Sequence, residues 1–132
     1  MSFFDTLSNR ARQINSLLCI GLDPRMDSAS EAKETCFRLI DATAPYAAAF
    51  KPNAAFFELL GPEGWAALKD VIAYVPPDIP VILDAKRGDI ADTAEAYAQA
   101  AFDTLGAHAL TVSPYLGGDA LAPFTARPEY GV

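Results

Sequence analysis

The sequence predicts an α/β fold built on a parallel sheet. Four short apolar runs each precede a stretch with helical periodicity, and each run-plus-helix unit takes about 30 residues. The runs are continuous rather than alternating, which is typical of strands buried on both faces. Each run also ends at a polar residue, and the carboxyl ends of parallel strands are where α/β enzymes hold their chemistry. These three observations favour an enzyme of the α/β class.

Composition excludes several other classes. The chain has 132 residues, of which 52% are hydrophobic and 20% charged, so it fits one globular domain. Its formal net charge of −7 argues against nucleic acid or an anionic membrane surface as a partner. No apolar run approaches the roughly 18 residues of a membrane span, and the N-terminus lacks a signal-peptide core. We therefore expect a cytoplasmic protein, with Cys19 and Cys36 as buried free thiols.

Two run-plus-helix units make up the first half of the chain. Serine before a helical stretch and glycine or proline after it mark the helix ends. Asp23 and Lys51 follow the two apolar runs, and the aromatic side chains of Phe56, Phe57 and Trp65 are expected in the core. The predicted elements, in order, are a helix at 3–15, a strand at 17–22, a helix from Ser28 or Ser30 to about Ala44, a strand at 47–51, a helix at 53–60 ended by Gly61 and Pro62, and a helix at 64–74.

Two more units follow in the second half. The long helix is rich in alanine, which favours helices and allows close approach, so packing on a partner or on its own sheet remains open. His108 precedes the fourth strand, away from the polar strand ends, and is interpreted as structural or solvated. The predicted elements are a strand at 81–84, a helix at 90–105 stopped by Gly106, a strand at 109–113 and a short helix at 119–124, and no clear element is predicted at 127–132.

The third strand and the turn after it carry the densest chemistry of the chain. Asp84 and Lys86 are two residues apart, so on an extended backbone they point to the same side. Gly88 allows a turn, and Asp89 is placed to cap or begin the next helix. With Lys51 these residues form a line of alternating charge, in which each side chain is the counter-ion of the next. The alternative interpretation is that these charged side chains form a ladder of ion pairs on the surface and not a functional site.

Three stretches together resemble the orotidine 5'-phosphate decarboxylase family. They are Asp-x-Lys-x-x-Asp-Ile at 84–90, Leu-Cys-Ile-Gly-Leu-Asp-Pro at 18–24 and Ala-Phe-Lys-Pro-Asn-Ala-Ala-Phe-Phe-Glu at 49–58. The Asp-Ala-Lys-Arg-Gly-Asp form of the first is similar to that of the bacterial branch. The resemblance implies a (β/α)8 TIM barrel, and such barrels need about 250 residues. Residues 1–132 would then be a single N-terminal (β/α)4 portion, a half-barrel with the first four βα units.

The resemblance also implies the reaction and the roles of the strand-end residues. It implies decarboxylation of orotidine 5'-phosphate to uridine 5'-phosphate in de novo pyrimidine biosynthesis, with no metal and no organic cofactor. Lys86 would protonate the ring carbon, and Asp84 would keep the Lys86 ammonium charged and oppose the departing carboxylate. Asp23 and Lys51 would contact the ribose hydroxyls of this small-molecule nucleotide.

In the family, the second aspartate of the motif reaches the neighbouring subunit's site. The resemblance therefore implies a homodimer in which Asp89, with Ile90 and Thr93, completes the neighbour's pocket. Asp89 and Thr93 are four residues apart and would share a helix face.

Two alternatives remain open at this stage. The first is a metal-dependent sugar-phosphate decarboxylase or aldolase of the same suprafamily, which shares Asp84, Lys86 and Asp89, although the stretches at 23–24 and 51–53 favour the nucleotide. The second is a catalytically inert half-barrel. The family's phosphate loops follow later strands. The isolated chain is therefore expected to have very weak or no activity, and to self-associate through open edges at its first and fourth strands.

Overall fold

The computed structural model describes all residues from 1 to 132. Strands and helices alternate along the chain, as the sequence predicts. The strands are β1 (Cys19–Leu22), β2 (Ala49–Pro52), β3 (Ile82–Arg87) and β4 (Ala109–Val112). The helices are α1 (Phe3–Ile14), α2 (Ala29–Thr43), α3 (Ala54–Glu58), α4 (Gly61–Tyr74), α5 (Ala91–Gln99) and α6 (Gly118–Thr125), with a 3₁₀ turn at Ala44–Tyr46 and a π-helical turn at Ala100–Thr104.

The four strands lie side by side in chain order, and all of them are parallel. β1 pairs with β2 over its whole length, and β3 pairs with β4. Two parallel bridges, Phe50 with Val81 and Asn53 with Asp84, join β2 to β3. Consecutive parallel strands require a crossover connection, which the intervening helices provide. The prediction of an α/β fold with a parallel sheet is therefore confirmed.

Side-chain caps define several helix starts. The Ser2 hydroxyl accepts a hydrogen bond from the Asp5 N–H, and the Asp5 carboxylate accepts one from the Ser2 N–H, so α1 begins with a capping box. Ser28 caps α2, and Asn53 caps α3 directly after β2. The caps keep the connections short, and they place the start of α3 at the carboxyl end of β2.

The hydrophobic core lies between the sheet and the helices that cover its outer face. Strand residues and one face of each long helix supply it, in agreement with the apolar periodicity. The largest fully buried side chains are Phe50, Phe57, Phe124, Leu22, Ile40, Leu68, Ile79, Leu83 and Leu110. None of the helices combines the length and hydropathy that a transmembrane span requires.

Helix α1 closes the amino-terminal end of the sheet through one buried arginine. The Arg10 guanidinium donates to the carbonyl oxygens of Ala44 and Ala47, at 2.7 and 3.1 Å. It also pairs with Asp78 at 2.7 Å. All three partners lie at the amino ends of the strands or in the turns that lead to them. The opposite, carboxyl-terminal ends are therefore the ones left for a site.

Three burial predictions are wrong. β1 is not buried on both faces, because only Leu22 of its four residues is buried, and Leu17 next to it is 91% exposed. Cys19 is consequently exposed, whereas Cys36 is buried and both thiols are free. Trp65 is 39% exposed on α4 rather than in the core, because the inward face of that helix is formed by smaller side chains.

Two helix boundaries also differ from the prediction. Gly61 and Pro62 were predicted only to end the preceding helix, but they also form the start of α4. Proline is tolerated in the first turn of a helix because the N–H groups there make no hydrogen bond within the helix. The predicted helix at 90–105 starts one residue later and changes to π-helical geometry from Ala100. It stops at Gly106, which has a φ of +78°, as predicted.

The last residues form the start of a further parallel pairing. Gly131 bridges to Ala109, and its carbonyl oxygen accepts a hydrogen bond from the Leu110 N–H at 3.0 Å. A Cβ at Gly131 would lie 2.3 Å from the Phe3 ring, so only glycine fits between α1 and β4. The stretch at 127–132, for which no element was predicted, therefore covers the amino end of the β4 edge.

Candidate active site

The carboxyl ends of β2 and β3 bring three charged side chains into contact. The Lys51 ammonium lies 3.1 Å from Oδ2 of Asp84, and the Lys86 ammonium lies 2.5 Å from Oδ1 of the same carboxylate. Asp84 is only 8% exposed. We call Lys51, Asp84 and Lys86 the charge cluster. It is one buried carboxylate held between two cations from different positions in the chain, not a ladder along an exposed face.

A bulge in β3 aims Lys86 back over Asp84. The pairing with β4 passes from Leu83–Leu110 directly to Arg87–Val112, so it advances four residues along β3 but only two along β4. Lys86 has a φ of +48°, in the left-handed region. The two side chains meet as predicted, but the reason given was wrong, because the backbone between them is not extended.

Thr111 of β4 completes the cluster, and it was not singled out from the sequence. Its hydroxyl donates a hydrogen bond to Oδ1 of Asp84 at 2.9 Å. It also accepts hydrogen bonds from the N–H groups of Ala85 and Lys86, each at 3.0 Å. The available signal was a hydroxyl side chain between the apolar residues Leu110 and Val112 of the fourth strand.

These contacts decide the ionisation of Asp84. Burial alone raises the pKa of this carboxyl, because it penalises the charged form. Hydrogen bonds from Lys86, Lys51 and Thr111, together with the charge of Lys51, outweigh burial and lower the pKa from 3.8 to about 2. Asp84 is therefore a fixed negative charge at any physiological pH.

The Asp84 pKa predicts how stability depends on pH. The folded pKa lies below the unfolded one, so the stabilisation is complete above about pH 4 and is lost as the pH falls towards about 2. We expect Asp84→Asn to lower the free energy of unfolding at neutral pH by on the order of 1–2 kcal/mol. The difference from wild type should shrink between pH 4 and 2, as measured by urea unfolding of the chain.

Asp27→Asn is the matched control, because Asp27 is exposed and makes no hydrogen bond or ion pair. It removes the same charge but should leave the pH profile of the free energy of unfolding unchanged. An Asp84→Asn profile parallel to wild type down to pH 2 would contradict the assigned ionisation.

Asp23 lies in the loop after β1 but does not join the charge cluster by direct contact. It is exposed and makes no hydrogen bond or ion pair. Leu22 pairs with Pro52, so Asp23 follows β1 at the same level of the sheet as the residues after β2. Burial, and then the nearby charge of Asp23, raise the pKa of the Cys36 thiol to about 11. That free carboxylate remains available to a ligand above the strand ends.

Asp89 and its neighbours lie at the rim, apart from the charge cluster. Asp89 accepts a hydrogen bond from the Ile90 N–H at 2.7 Å, and no cation of the chain pairs with its carboxylate. The predicted line of four charges therefore has three members in contact. Asp89 neither caps α5 nor belongs to it, because Ile90 is the N-cap and Ala91 has a φ of +32°. The shared helix face predicted for Asp89 and Thr93 is wrong for that reason.

Contacts with α3, α5 and the end of β4 fix the turn after Lys86. Arg87 pairs with Glu58 at the end of α3, and its guanidinium lies 5.1 Å from the centre of the Tyr97 ring on α5. Its carbonyl oxygen accepts a hydrogen bond from the Ser113 N–H at 2.7 Å. A Cβ at Gly88 would lie 2.8 Å from the Ser113 carbonyl oxygen, so the turn needs glycine for close approach. The ends of β3 and β4 therefore meet, as predicted.

His108, interpreted as structural or solvated, is an exposed residue that makes one structural contact through its ring. Its Nδ1 accepts a hydrogen bond from the Val81 N–H at 3.1 Å, at the amino end of β3. Burial lowers the pKa of the imidazole. No group of three or more histidine, cysteine, aspartate or glutamate side chains lies in a position to hold a metal ion.

Comparison with known proteins identifies the family. A sequence model described as Orotidine 5'-phosphate decarboxylase / HUMPS family matches residues 16–130. The Orotidine 5'-phosphate decarboxylase of Roseiflexus sp. (strain RS-1) is 51% identical over 139 residues, which cover 99% of this chain and 51% of that protein. The protein of the same name from Dehalococcoides mccartyi (strain CBDB1) is 42% identical, covering 100% of this chain and 50% of its own. The chain thus spans about half the length of the curated relatives it matches.

Solved structures agree with the sequence relatives. The OMP decarboxylase of Leishmania donovani superposes with a TM-score of 0.95 at 63% identity, covering 98% of this chain and 51% of that one. A putative orotidine 5'-phosphate decarboxylase from Streptomyces avermitilis gives a TM-score of 0.88 at 35% identity, covering 97% and 50%. Each match covers about half a barrel, which confirms the half-barrel prediction. The motif stretches, the parallel βα units and these matches lead to one conclusion: the chain belongs to the orotidine 5'-phosphate decarboxylase / HUMPS family.

Proposed function

We propose that this chain supplies the catalytic charges for decarboxylation of orotidine 5'-phosphate to uridine 5'-phosphate, a carboxy-lyase step of cytoplasmic pyrimidine biosynthesis. One observation carries the proposal: a buried, ionised Asp84 is held between Lys51 and Lys86 at the carboxyl ends of parallel strands. Residues 1–132 act in it as a single N-terminal (β/α)4 portion of the barrel domain.

The charge cluster fits the electronic demands of the reaction. The bond between the ring carbon and the carboxylate breaks, carbon dioxide leaves, and the electron pair stays on the ring carbon. The Lys86 ammonium then gives that carbon a proton, forming the C–H bond of the product. A fixed Asp84 carboxylate beside the substrate carboxylate favours the transition state, in which the negative charge has moved away from Asp84 and towards Lys86. The Asp84 carboxylate and the Lys86 ammonium both belong to this chain.

Two further groups of residues are assigned to substrate and partner. Lys51 is the only charged side chain of β2, and Asp23 is free of partners above the strand ends, so we assign both to the ribose hydroxyls. Asp89 has no cationic partner in its own chain, and Ile90 beside it is 67% exposed. We therefore propose a homodimer in which Asp89, Ile90 and Thr93 complete the neighbour's site.

A hybrid enzyme tests the reaction. In it, this chain replaces the matched part of the Leishmania donovani enzyme, to which it is 63% identical. We expect the hybrid to form uridine 5'-phosphate and carbon dioxide from orotidine 5'-phosphate, with turnover unaffected by a strong chelator. The remaining part of the Leishmania enzyme, expressed without this chain, is the control and should be inactive.

Failure has two distinct forms. A folded hybrid without turnover would overturn the assignment of the reaction. Activity that a chelator abolishes and magnesium restores would favour a metal-dependent sugar-phosphate enzyme of the same suprafamily instead.

A further inference from the structure

We propose that Thr111 is a positioning residue for the reaction: its hydroxyl holds the backbone of Lys86 and the carboxylate of Asp84 in the geometry that proton donation needs. The inference rests on the proposed function, because Thr111 acts on the same charge cluster. It concerns a residue outside the three motif stretches, on a strand 27 positions further along the chain than Asp84.

Thr111 accepts hydrogen bonds from backbone N–H groups in the β3 bulge. The β3–β4 ladder skips the residues between Leu83 and Arg87, so the backbone there lacks its regular strand partners. Two consecutive N–H groups, those of Ala85 and Lys86, point instead to the Thr111 oxygen, each at 3.0 Å. The Ala85 N–H is half-buried, where an unpaired N–H group is costly, whereas Lys86 is exposed. The hydroxyl therefore accepts from two consecutive N–H groups of the bulge and helps to hold Lys86 at its φ of +48°.

Every hydrogen-bonding position of the Thr111 hydroxyl is occupied. A threonine oxygen has two acceptor positions and one hydrogen to donate. Both acceptor positions are used by the two N–H groups, so the hydrogen must go to Oδ1 of Asp84, at 2.9 Å. That oxygen also accepts from the Lys86 ammonium. One atom of Thr111 thus fixes the backbone of the proton donor and the oxygen that orients its ammonium.

Residue type matters here in a way that can be tested. Valine has nearly the same shape but can neither accept from the two N–H groups nor donate to Asp84. Serine keeps the hydroxyl and loses only a methyl group. A role in strand packing depends on shape, whereas a positioning role depends on the hydroxyl.

The test compares Thr111→Val, Thr111→Ser and the control Thr43→Val in the hybrid enzyme. The Thr43 hydroxyl bonds only to the Leu39 carbonyl oxygen of its own helix, on the outer side. We expect Thr111→Val to lower kcat by about 10- to 100-fold, the equivalent of one lost hydrogen bond to a charged group. Affinity for uridine 5'-phosphate should change by less than about threefold, because binding shared by ground and transition states is untouched. Thr111→Ser and Thr43→Val should stay within about threefold of wild type in kcat.

A second readout does not need activity. Carbon-13 NMR of the hybrid enzyme follows the titration of the Asp84 carboxyl, whose pKa should rise in Thr111→Val but not in Thr111→Ser. A folded Thr111→Val with unchanged kcat and unchanged Asp84 titration would overturn the inference. A folded Thr111→Ser with the losses expected of valine would overturn it as well, even if the valine variant does not fold. If the wild-type hybrid is inert, the proposed function fails, and the NMR titration still decides whether Thr111 holds the cluster.

Discussion

Replacing Lys86 by alanine in the hybrid enzyme is expected to abolish turnover and to leave most of the affinity for uridine 5'-phosphate. The ammonium contacts Asp84 at the strand end, and in the proposed function it supplies both the proton and the adjacent positive charge. General acid catalysis contributes about 10²- to 10⁴-fold, and a pre-oriented charge adds to it. Single-turnover kinetics measure the loss of turnover, and calorimetric titration with uridine 5'-phosphate measures the remaining affinity.

Lys69→Ala is the matched control for the Lys86 variant. Lys69 is an exposed lysine of α4 without a hydrogen bond or ion pair, and it does not belong to the charge cluster. It should keep wild-type kcat and product affinity. Unchanged turnover in the Lys86→Ala hybrid would refute the role of Lys86 as the acid.

Mixing two inactive variants of the hybrid is expected to restore activity. In the proposed homodimer, Lys86→Ala and Asp89→Ala should each remove turnover. In a mixed dimer, one site receives Lys86 from one subunit and Asp89 from the other, and is intact. Two-fold symmetry therefore gives the purified mixed dimer about half of wild-type activity. The variants carry different affinity tags, and tandem purification isolates the mixed dimer for assay.

The control pair combines Lys86→Ala with Asp84→Asn. Both residues lie in the same charge cluster of one subunit, so no site of that mixed dimer is complete. It should stay inactive. If the Lys86→Ala and Asp89→Ala mixture were equally inactive, although mixed dimers were recovered, Asp89 would serve its own subunit's site and the proposed dimer would be wrong.

The contact between Lys51 and Asp84 was predictable from the sequence because it follows from topology. Parallel strands bring their carboxyl ends together, whatever the detailed register. A polar residue after each apolar run therefore predicts which side chains lie at one edge of the sheet, although not which of them touch, since Asp23 makes no contact with the charge cluster. The same topology brings Ser113, after β4, to the turn after β3, where its N–H donates to the Arg87 carbonyl oxygen.

The features that were missed depend on the pairing register of the strands or on which elements pack against a strand. Neither property can be read from the local sequence of one element. The β3 bulge and the contacts of Thr111 arise only once β3 and β4 are paired. The exposure of Cys19 depends on what lies against β1 and not on its own apolar pattern. The position of Asp89 outside α5 depends on a positive φ at Ala91. Alanine is not a residue type that predicts a positive φ.

A structure of the hybrid enzyme with bound uridine 5'-phosphate tests the central claim most directly. The claim is that the charge cluster at the strand ends is the reaction centre. The account predicts that the Lys86 ammonium faces the ring carbon that carries the carboxylate in the substrate, and that Lys51 and Asp23 contact the ribose hydroxyls. A nucleotide bound away from the strand ends, or a Lys86 ammonium turned away from that carbon, would contradict it.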